Sequence, residues 1–394
     1  MDRAAAGQQR RRARAGARPR IGLSAPVRSV ELLRACTGAM RIALIQSFLP
    51  SRSPGGVGYF THQFANALVG RGHEVCVFSY HPRPEGARYA VRTLWLPFDE
   101  RSLPGKLARL YWFGVAVARL DFSGFDVVHA QGDSHFLWGR RVPLVRTFSG
   151  SSLEEARHAG SLKRALMFLS IYPCELLAAL GADACVAISR NTCRTIPGIG
   201  QVIPQGVDLE LFRPGGQKSA QPSILFVGHL RNRKRGQLLL DVFGDEVRPR
   251  LPEAELWLVC DERVEAPGVR SFGRVSMAQL IELYQRAWVF CLPSAYEGFG
   301  RPYIEAMACG TPVVATPNPG ALEVLEGGRY GVIVGPAGLG HALVDLLQDS
   351  QRRQRLAEAG LVWVQQFGWG RVVDAYEALY RQLVRQAATQ PAPT

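Results

Sequence analysis

Two glutamates eight residues apart, Glu297 and Glu305, stand in the stretch EGFGRPYIEAMACGTPVVAT (297–316). The apolar run WVFCLPS (288–294) leads into it, Gly298 and Gly300 let the backbone turn tightly, and Pro302 suits the first turn of a helix that stops before Gly310. The free N–H groups and positive dipole of such a helix start make a seat for an anionic phosphate. Two carboxylates so placed can grip hydroxyls at opposite ends of an extended ligand. A second stretch, FVGHLRNRKRG (226–236), lies at the end of the run SILFVG (223–228), and a cation in it can reach a diphosphate lying across the loop. A third, PGGVGYF (54–60), sets Gly55 and Gly56 before a helix, where bare backbone can approach a ligand closely.

The 297–316 block resembles the retaining glycosyltransferases of family four, which have the GT-B fold, through its E-x7-E pattern inside EGFG–P–EAMACGTPVVAT. The resemblance implies that Glu297 contacts the hydroxyls of the donor sugar and Glu305 the ribose hydroxyls of the nucleotide, with Gly298, Phe299 and Gly300 lining the donor. The family usually shows G-R-x4-K-G at the second stretch. Here Gly228 and Lys234 match, while His229 takes the Arg position and Arg235 the Gly position. Lys234 is therefore the expected diphosphate contact and His229 a weaker, pH-dependent one. Arg231 or Arg233 is the candidate to supply the missing charge. Gly55 and Gly56 are in register with the family's glycine loop. Gly320 and Glu323, in PNPGALEVLEGG (317–328), match its GGxxE loop near the sugar and β-phosphate. DVVHAQG (126–132) is similar to the family's DVVHAH, so His129 is expected to face the cleft near the acceptor, with Gln131 in place of the second His. RTFSG (146–150) has Ser149 where the family often has His. The likeness covers roughly residues 41–380, sharply in the C-terminal half and loosely in the N-terminal half.

By that resemblance the co-substrate is a nucleotide-diphosphate sugar and the acceptor a glycan or a lipid-linked acceptor, in bacterial surface glycan assembly. Transfer is expected with retention, by front-face attack in which a donor phosphate oxygen helps take the acceptor proton. Glu297 then positions the sugar. Lys234, the neighbouring loop cations and helix N-termini stabilise charge on the leaving diphosphate. No DxD-like cluster appears, so no cofactor and no tightly bound metal are expected. The departures at His229, Arg235, Gln131 and Ser149 leave open an inactive nucleotide-sugar-binding partner subunit. The 297–316 block argues against an epimerase on the same fold.

These residues need a scaffold, and the chain spells one twice. Strand-like RIALIQS (41–47), a glycine loop, a helical stretch at 57–69 and EVCVFSY (74–80) open a doubly wound α/β domain. Strand candidates at 126–130, 143–148, 183–189 and 201–206 continue it, with helices at 105–120 and 161–180. The polar, Gly/Pro-rich segment 213–222 reads as a linker, after which the pattern restarts. The expected fold class is α/β, with two Rossmann-like doubly wound domains facing across a cleft (GT-B). The N-terminal acceptor-binding domain is set at 40–212, the C-terminal nucleotide-sugar-binding domain at 223–375, and a helix end and tail at 376–394.

At 394 residues the chain is long enough for two full cores. Its net charge of +14 does not mark a nucleic-acid partner, because residues 1–39 hold nine Arg against Asp2 and Glu31, half of the excess. That segment reads as a flexible arm, and Met40 before RIALIQSF as an alternative start. The eight cysteines form no CxxC pair and several lie in apolar runs, so a reducing cytoplasm is expected. No run of about 18 apolar residues appears. The basic, aromatic stretch 105–119, with Lys106, Arg109, Tyr111 and Trp112, and the apolar helix 161–180 suit peripheral contact with the inner face of the plasma membrane.

Overall fold

The computed structural model describes residues 38–50, 56–95 and 103–389. Gly55, the arm up to residue 37, the side chains of Lys106 and Arg109, and residues 390–394 lie outside the described residues. In chain order the elements are β1 (Arg41–Ile45), α1 (Gly56–Gly70), β2 (Glu74–Ser79), β3 (Ala90–Thr93), α2 (Leu103–Ala118), β4 (Val127–Ala130), β5 (Leu144–Phe148), α3 (Ser152–Arg157), α4 (Leu162–Leu180), β6 (Ala184–Ala187), α5 (Arg190–Cys193) and β7 (Ile199–Val202). They continue with β8 (Ser223–Val227), α6 (Gly236–Val242), β9 (Glu255–Val259), β10 (Val269–Ser271), α7 (Met277–Arg286), β11 (Val289–Leu292), α8 (Arg301–Ala308), β12 (Val313–Ala315), α9 (Pro319–Val324), β13 (Val332–Ile333), α10 (Leu339–Gln348), α11 (Ser350–Val364) and α12 (Trp369–Thr389).

The strands form two parallel sheets, ordered β3-β2-β1-β4-β5-β6-β7 and β10-β9-β8-β11-β12-β13. Both reverse order beside their first strand, between β1 and β4 and between β8 and β11, which opens a crevice at the carboxyl ends of those strands. Strands β4, β5 and β11 are buried along their whole length, as continuous apolar runs covered on both faces must be. The edge strands β3, β10 and β13, of four, three and two residues, are absent from the sequence reading because such short runs carry no measurable period.

Two domain boundaries differ from expectation. The C-terminal core closes at Phe367, and the chain then returns to the N-terminal domain. Helix α12 lays Val372, Val373, Tyr376, Leu379, Tyr380 and Leu383 against Ile42, Leu44, Phe60 and Phe64. Their i, i+3/i+4 spacing makes one apolar stripe that only an apolar partner face can cover. Arg71–Asp374 at 2.6 Å and His73–Glu377 at 3.0 Å fix the helix along its rim. The break is Gly368, in extended conformation (φ −62°, ψ 144°), and it pairs with Val207 where the chain first crosses between domains. The segment 213–222 is also no free linker. Lys218 Nζ donates to Ala287 O at 2.8 Å and to Thr311 Oγ1 at 2.9 Å, and Val207 and Phe212 already pack into the C-terminal core.

Candidate donor-binding site

The site is assembled at the carboxyl ends of β8, β11 and β12. After β8 the chain passes Gly228, where a side chain would sit 2.3 Å from the Lys234 stem, so glycine lets the lysine cross the strand end. A 3-10 turn at Asn232–Lys234 follows, and Ala295 N donates to Arg233 O at 2.7 Å, tying this loop to the end of β11. Arg235 adopts a left-handed conformation (φ 51°). That geometry is free of strain only for glycine, which gives a physical reason for the glycine expected at this position.

Glu297 is 6 % exposed, and both its oxygens are held. Ser294 Oγ donates to Oε1 at 2.8 Å, Lys234 Nζ lies 3.3 Å from the same oxygen, and Arg233 Nη1 is 3.1 Å from Oε2. Burial raises its pKa, but Lys234, Arg233 and Ser294 outweigh that cost and leave the carboxyl below its ordinary value. Gly320 holds the loop from behind. Its N–H donates to Glu297 O at 3.0 Å, and an added Cβ would lie 2.6 Å from Phe299 O. Gly298 faces the N-terminal domain, 3.4 Å from Ser149 O at the Cβ position. Gly300 (φ 93°) caps α8, and Phe299 packs on Phe367 with centroids 5.7 Å apart.

Glu305, one turn into α8, accepts from Tyr284 Oη at 3.2 Å and pairs with Arg301 Nη2 at 2.9 Å. The Arg301 guanidinium lies 4.9 Å from the ring centroid of Tyr59, in the first turns of α1. The structure thus brings together Arg233, Lys234, Glu297, Gly298, Gly300 and Gly320, and places Glu305 on the helix they lead into. Gly56 begins α1, three residues before Tyr59.

Three expected residues do not contact the Glu297 carboxylate. His229 is exposed, while Glu297 is held by Arg233 and Lys234. Glu323 turns to the N-terminal domain and accepts Arg190 N on both oxygens at 2.9 Å, capping α5. It borders a cavity of about 690 Å3 lined also by Phe299, Arg194, Leu322, Trp363 and Phe367. His129 requires a correction: it does not face the cleft. It is fully buried between the sheet and helices α1 and α12, with Nδ1 2.5 Å from Tyr380 Oη and Nε2 2.8 Å from Thr147 Oγ1. Strand alternation turns residue 129 toward α1 and α12, while Gln131, beyond the strand end, is bonded by Thr61 Oγ1 at 2.5 Å. Burial first, and Arg146 second, push the His129 pKa down to about 3, so it is a neutral core residue.

Sequence reasoning missed Ser294, Tyr284, Tyr59 and Arg301. Only Arg301 left a signal, as a cation at the midpoint of the two glutamates. Among the described residues no three His, Cys, Asp or Glu side chains are grouped to hold a metal ion.

Comparison with known proteins gives the family. Residues 54–211 match the family described as Glycosyltransferase Family 4, and residues 221–349 the one described as Glycosyl transferases group 1. The chain belongs to the group 1, family 4 glycosyltransferases, and its fold is GT-B. It is 27 % identical over 397 residues to D-inositol 3-phosphate glycosyltransferase of Gordonia bronchialis, covering 85 % of this chain and 86 % of that one. It is 29 % identical over 365 residues to phosphatidyl-myo-inositol mannosyltransferase of Mycobacterium leprae, covering 83 % and 93 %. Among solved structures, sucrose-phosphate synthase from Thermosynechococcus elongatus superposes with a TM-score of 0.74 at 23 % identity, over 88 % of this chain and 99 % of that one. Anabaena HepE in complex with UDP and glucose gives 0.67 at 19 % identity, over 87 % and 100 %.

Proposed function

We propose that this glycosyltransferase moves a hexosyl or related sugar from a nucleotide-diphosphate donor to a glycan or lipid-linked acceptor, with retention of anomeric configuration, in bacterial surface glycan assembly. The observation that carries the donor assignment is the buried Glu297 carboxylate held by Ser294, Lys234 and Arg233 at the strand ends. A carboxylate so engaged is suited to orient sugar hydroxyls. Lys234 beside it is placed to offset charge on a leaving diphosphate, in a reading that calls for no resident metal. Two relatives named for inositol-based chemistry support an anionic or lipid-linked acceptor.

Peripheral membrane contact at the cytoplasmic face is supported by α4, which buries only Cys174 and Ala178 and leaves Leu162, Leu166, Leu169, Leu177 and Leu180 exposed. Trp95, Phe136 and Trp138 of the same domain are exposed as well. A basic, leucine-rich face of this kind suits the headgroup region of an anionic bilayer. Among the described residues no helix is long and apolar enough to cross a membrane.

The test is a binding and hydrolysis screen offering UDP-, GDP- and ADP-sugars to wild type and Glu305→Ala, with and without EDTA. One donor should bind and hydrolyse slowly, with weaker binding by Glu305→Ala and no effect of EDTA. NMR of the released sugar should show the donor's anomeric configuration. An inverted product overturns retention, and no donor bound by either protein overturns the donor assignment. A donor bound without any hydrolysis or transfer favours the inactive nucleotide-sugar-binding partner subunit, a reading that His229 at the Arg position also supports.

A further inference from the structure

Three features of Arg301 are unexplained by the donor site as described. Its guanidinium is largely buried and pairs through Nη2 with Glu305 at 2.9 Å. Its Nε is buried with no hydrogen-bond partner among the described residues. Its flat face lies over Tyr59 of the other domain, 4.9 Å from the ring centroid. A buried guanidinium N–H without an acceptor is costly, and native structures keep such a group where a ligand supplies the missing oxygen.

Position says which ligand. In a nucleotide-diphosphate sugar the order of groups is ribose, diphosphate, sugar. If Glu305 takes the ribose and Glu297 the sugar, the diphosphate must lie between them, and Arg301 is four residues from each along the chain. It is also the first residue of α8, where backbone N–H groups and the helix dipole favour the same anion. The first strand–loop–helix meanwhile lacks a cation at 229, where His229 is exposed and Arg233 is engaged with Glu297.

We propose that Arg301 is a diphosphate-binding residue of this enzyme, supplying the charge absent at position 229, and that Tyr59 holds its guanidinium in place from the opposite domain. This rests on the donor reading above. On binding, Nε and the outer N–H groups donate to phosphate oxygens, while Nη2 keeps Glu305 oriented toward the ribose. Because Tyr59 belongs to α1, the contact also ties diphosphate binding to the approach of the two domains.

The experiment measures binding of UDP, GDP and ADP by calorimetry, and of the matching nucleoside by NMR titration. The proteins are wild type, Arg301→Gln, Arg301→Lys, Tyr59→Leu and Lys234→Ala, each checked for folding by thermal melting. Arg301→Gln should weaken the preferred diphosphate by about ten- to a hundred-fold, the usual value of a charge-assisted contact, and leave the nucleoside unchanged. Arg301→Lys should recover part of the loss, since a point charge remains without the planar fork. Tyr59→Leu leaves the Glu305 ion pair intact and should weaken the diphosphate by roughly two- to five-fold, the loss of a partly buried cation–π contact. Equal loss of nucleoside and diphosphate in Arg301→Gln would mean that the arginine serves Glu305 alone, and overturns the proposal. Unchanged diphosphate affinity in Arg301→Gln, with Lys234→Ala still weakened, overturns it while the donor reading stands. Failure of wild type to bind any of the three diphosphates overturns the donor reading itself.

Discussion

The two sheet domains carry their polar groups differently. In the C-terminal domain the core is one continuous cluster, and the buried carboxylates of its site, Glu297 and Glu305, are each met by cations and hydroxyls of the same domain. In the N-terminal domain the core divides into three clusters, and Gln131 Nε2, Ser134 Oγ, His135 Nε2 and Arg146 Nε are buried without partners among the described residues, against Glu262 Oε2 and Arg301 Nε in the C-terminal domain. Most of the large apolar side chains left exposed, from Trp95 to Leu180, belong to it too. A half that binds a fixed nucleotide can pair its buried carboxylates in advance, leaving Arg301 Nε for the ligand. The other half leaves donors and apolar surface to be met from outside, as recognition of an acceptor at an interface requires.

The comparison breaks first at α12. If that helix belongs to the N-terminal core, Tyr376→Ala should cost about 3–5 kcal/mol in urea unfolding and loosen the N-terminal domain selectively. Hydrogen exchange that instead rose in strands β8–β12 would reassign the helix. Next in size, Lys234→Ala should lower kcat by roughly 10²–10³, with near-normal melting, because Arg233 still accompanies Glu297. A change in melting without a change in kcat would make the lysine structural.

The buried histidines sharpen the contrast through pH. Burial, with Arg146 adding to it, holds the folded-state pKa of His129 at about 3 and of His135 at about 4, below the unfolded value near 6.5. Each therefore contributes stability that is present above about pH 6.5 and lost as pH falls toward its folded pKa, by up to about 1.4 kcal/mol per pH unit. Denaturation followed from pH 7.5 to 5 should show this slope, and His129→Gln should flatten it while leaving donor turnover intact. Loss of turnover in a folded His129→Gln would restore the histidine to the site. Smaller still, Arg235→Gly should stabilise the C-terminal domain by about 1 kcal/mol by removing the left-handed strain, read as a rise in its melting temperature. Last, Leu162→Ser with Leu166→Ser should change stability by no more than roughly 0.5 kcal/mol yet reduce sedimentation with anionic liposomes. Liposome binding unchanged by this pair would remove the membrane face from α4.

Legibility in the sequence followed the range of the contacts involved. Apolar runs bounded by glycine and proline marked nearly every long strand and helix, and the block 297–316 placed Glu297, Gly300, α8 and Glu305 in order, because each step from strand end to helix start is decided within a few residues. Which of the loop cations meets Glu297 is not legible in the sequence, because only the course of the loop, turned by Arg235, brings Arg233 and Lys234 to it and leaves His229 exposed. His129 was read as facing the cleft because a strand pattern gives alternation but not which face a distant helix will cover.

The amino-acid order by itself determined the two doubly wound sheets, the strand–glycine–helix turns at their carboxyl ends and the acidic pair of the donor site, since periodicity, turn chemistry and helix starts are local properties. Tertiary structure alone decided that α12 completes the first domain, that Tyr376 and Tyr380 seal His129 into its core, and that Arg301 bridges Glu305 to Tyr59. Those pairings join residues some 240 or more positions apart, and burial of facing apolar surfaces, rather than any local preference, selects them.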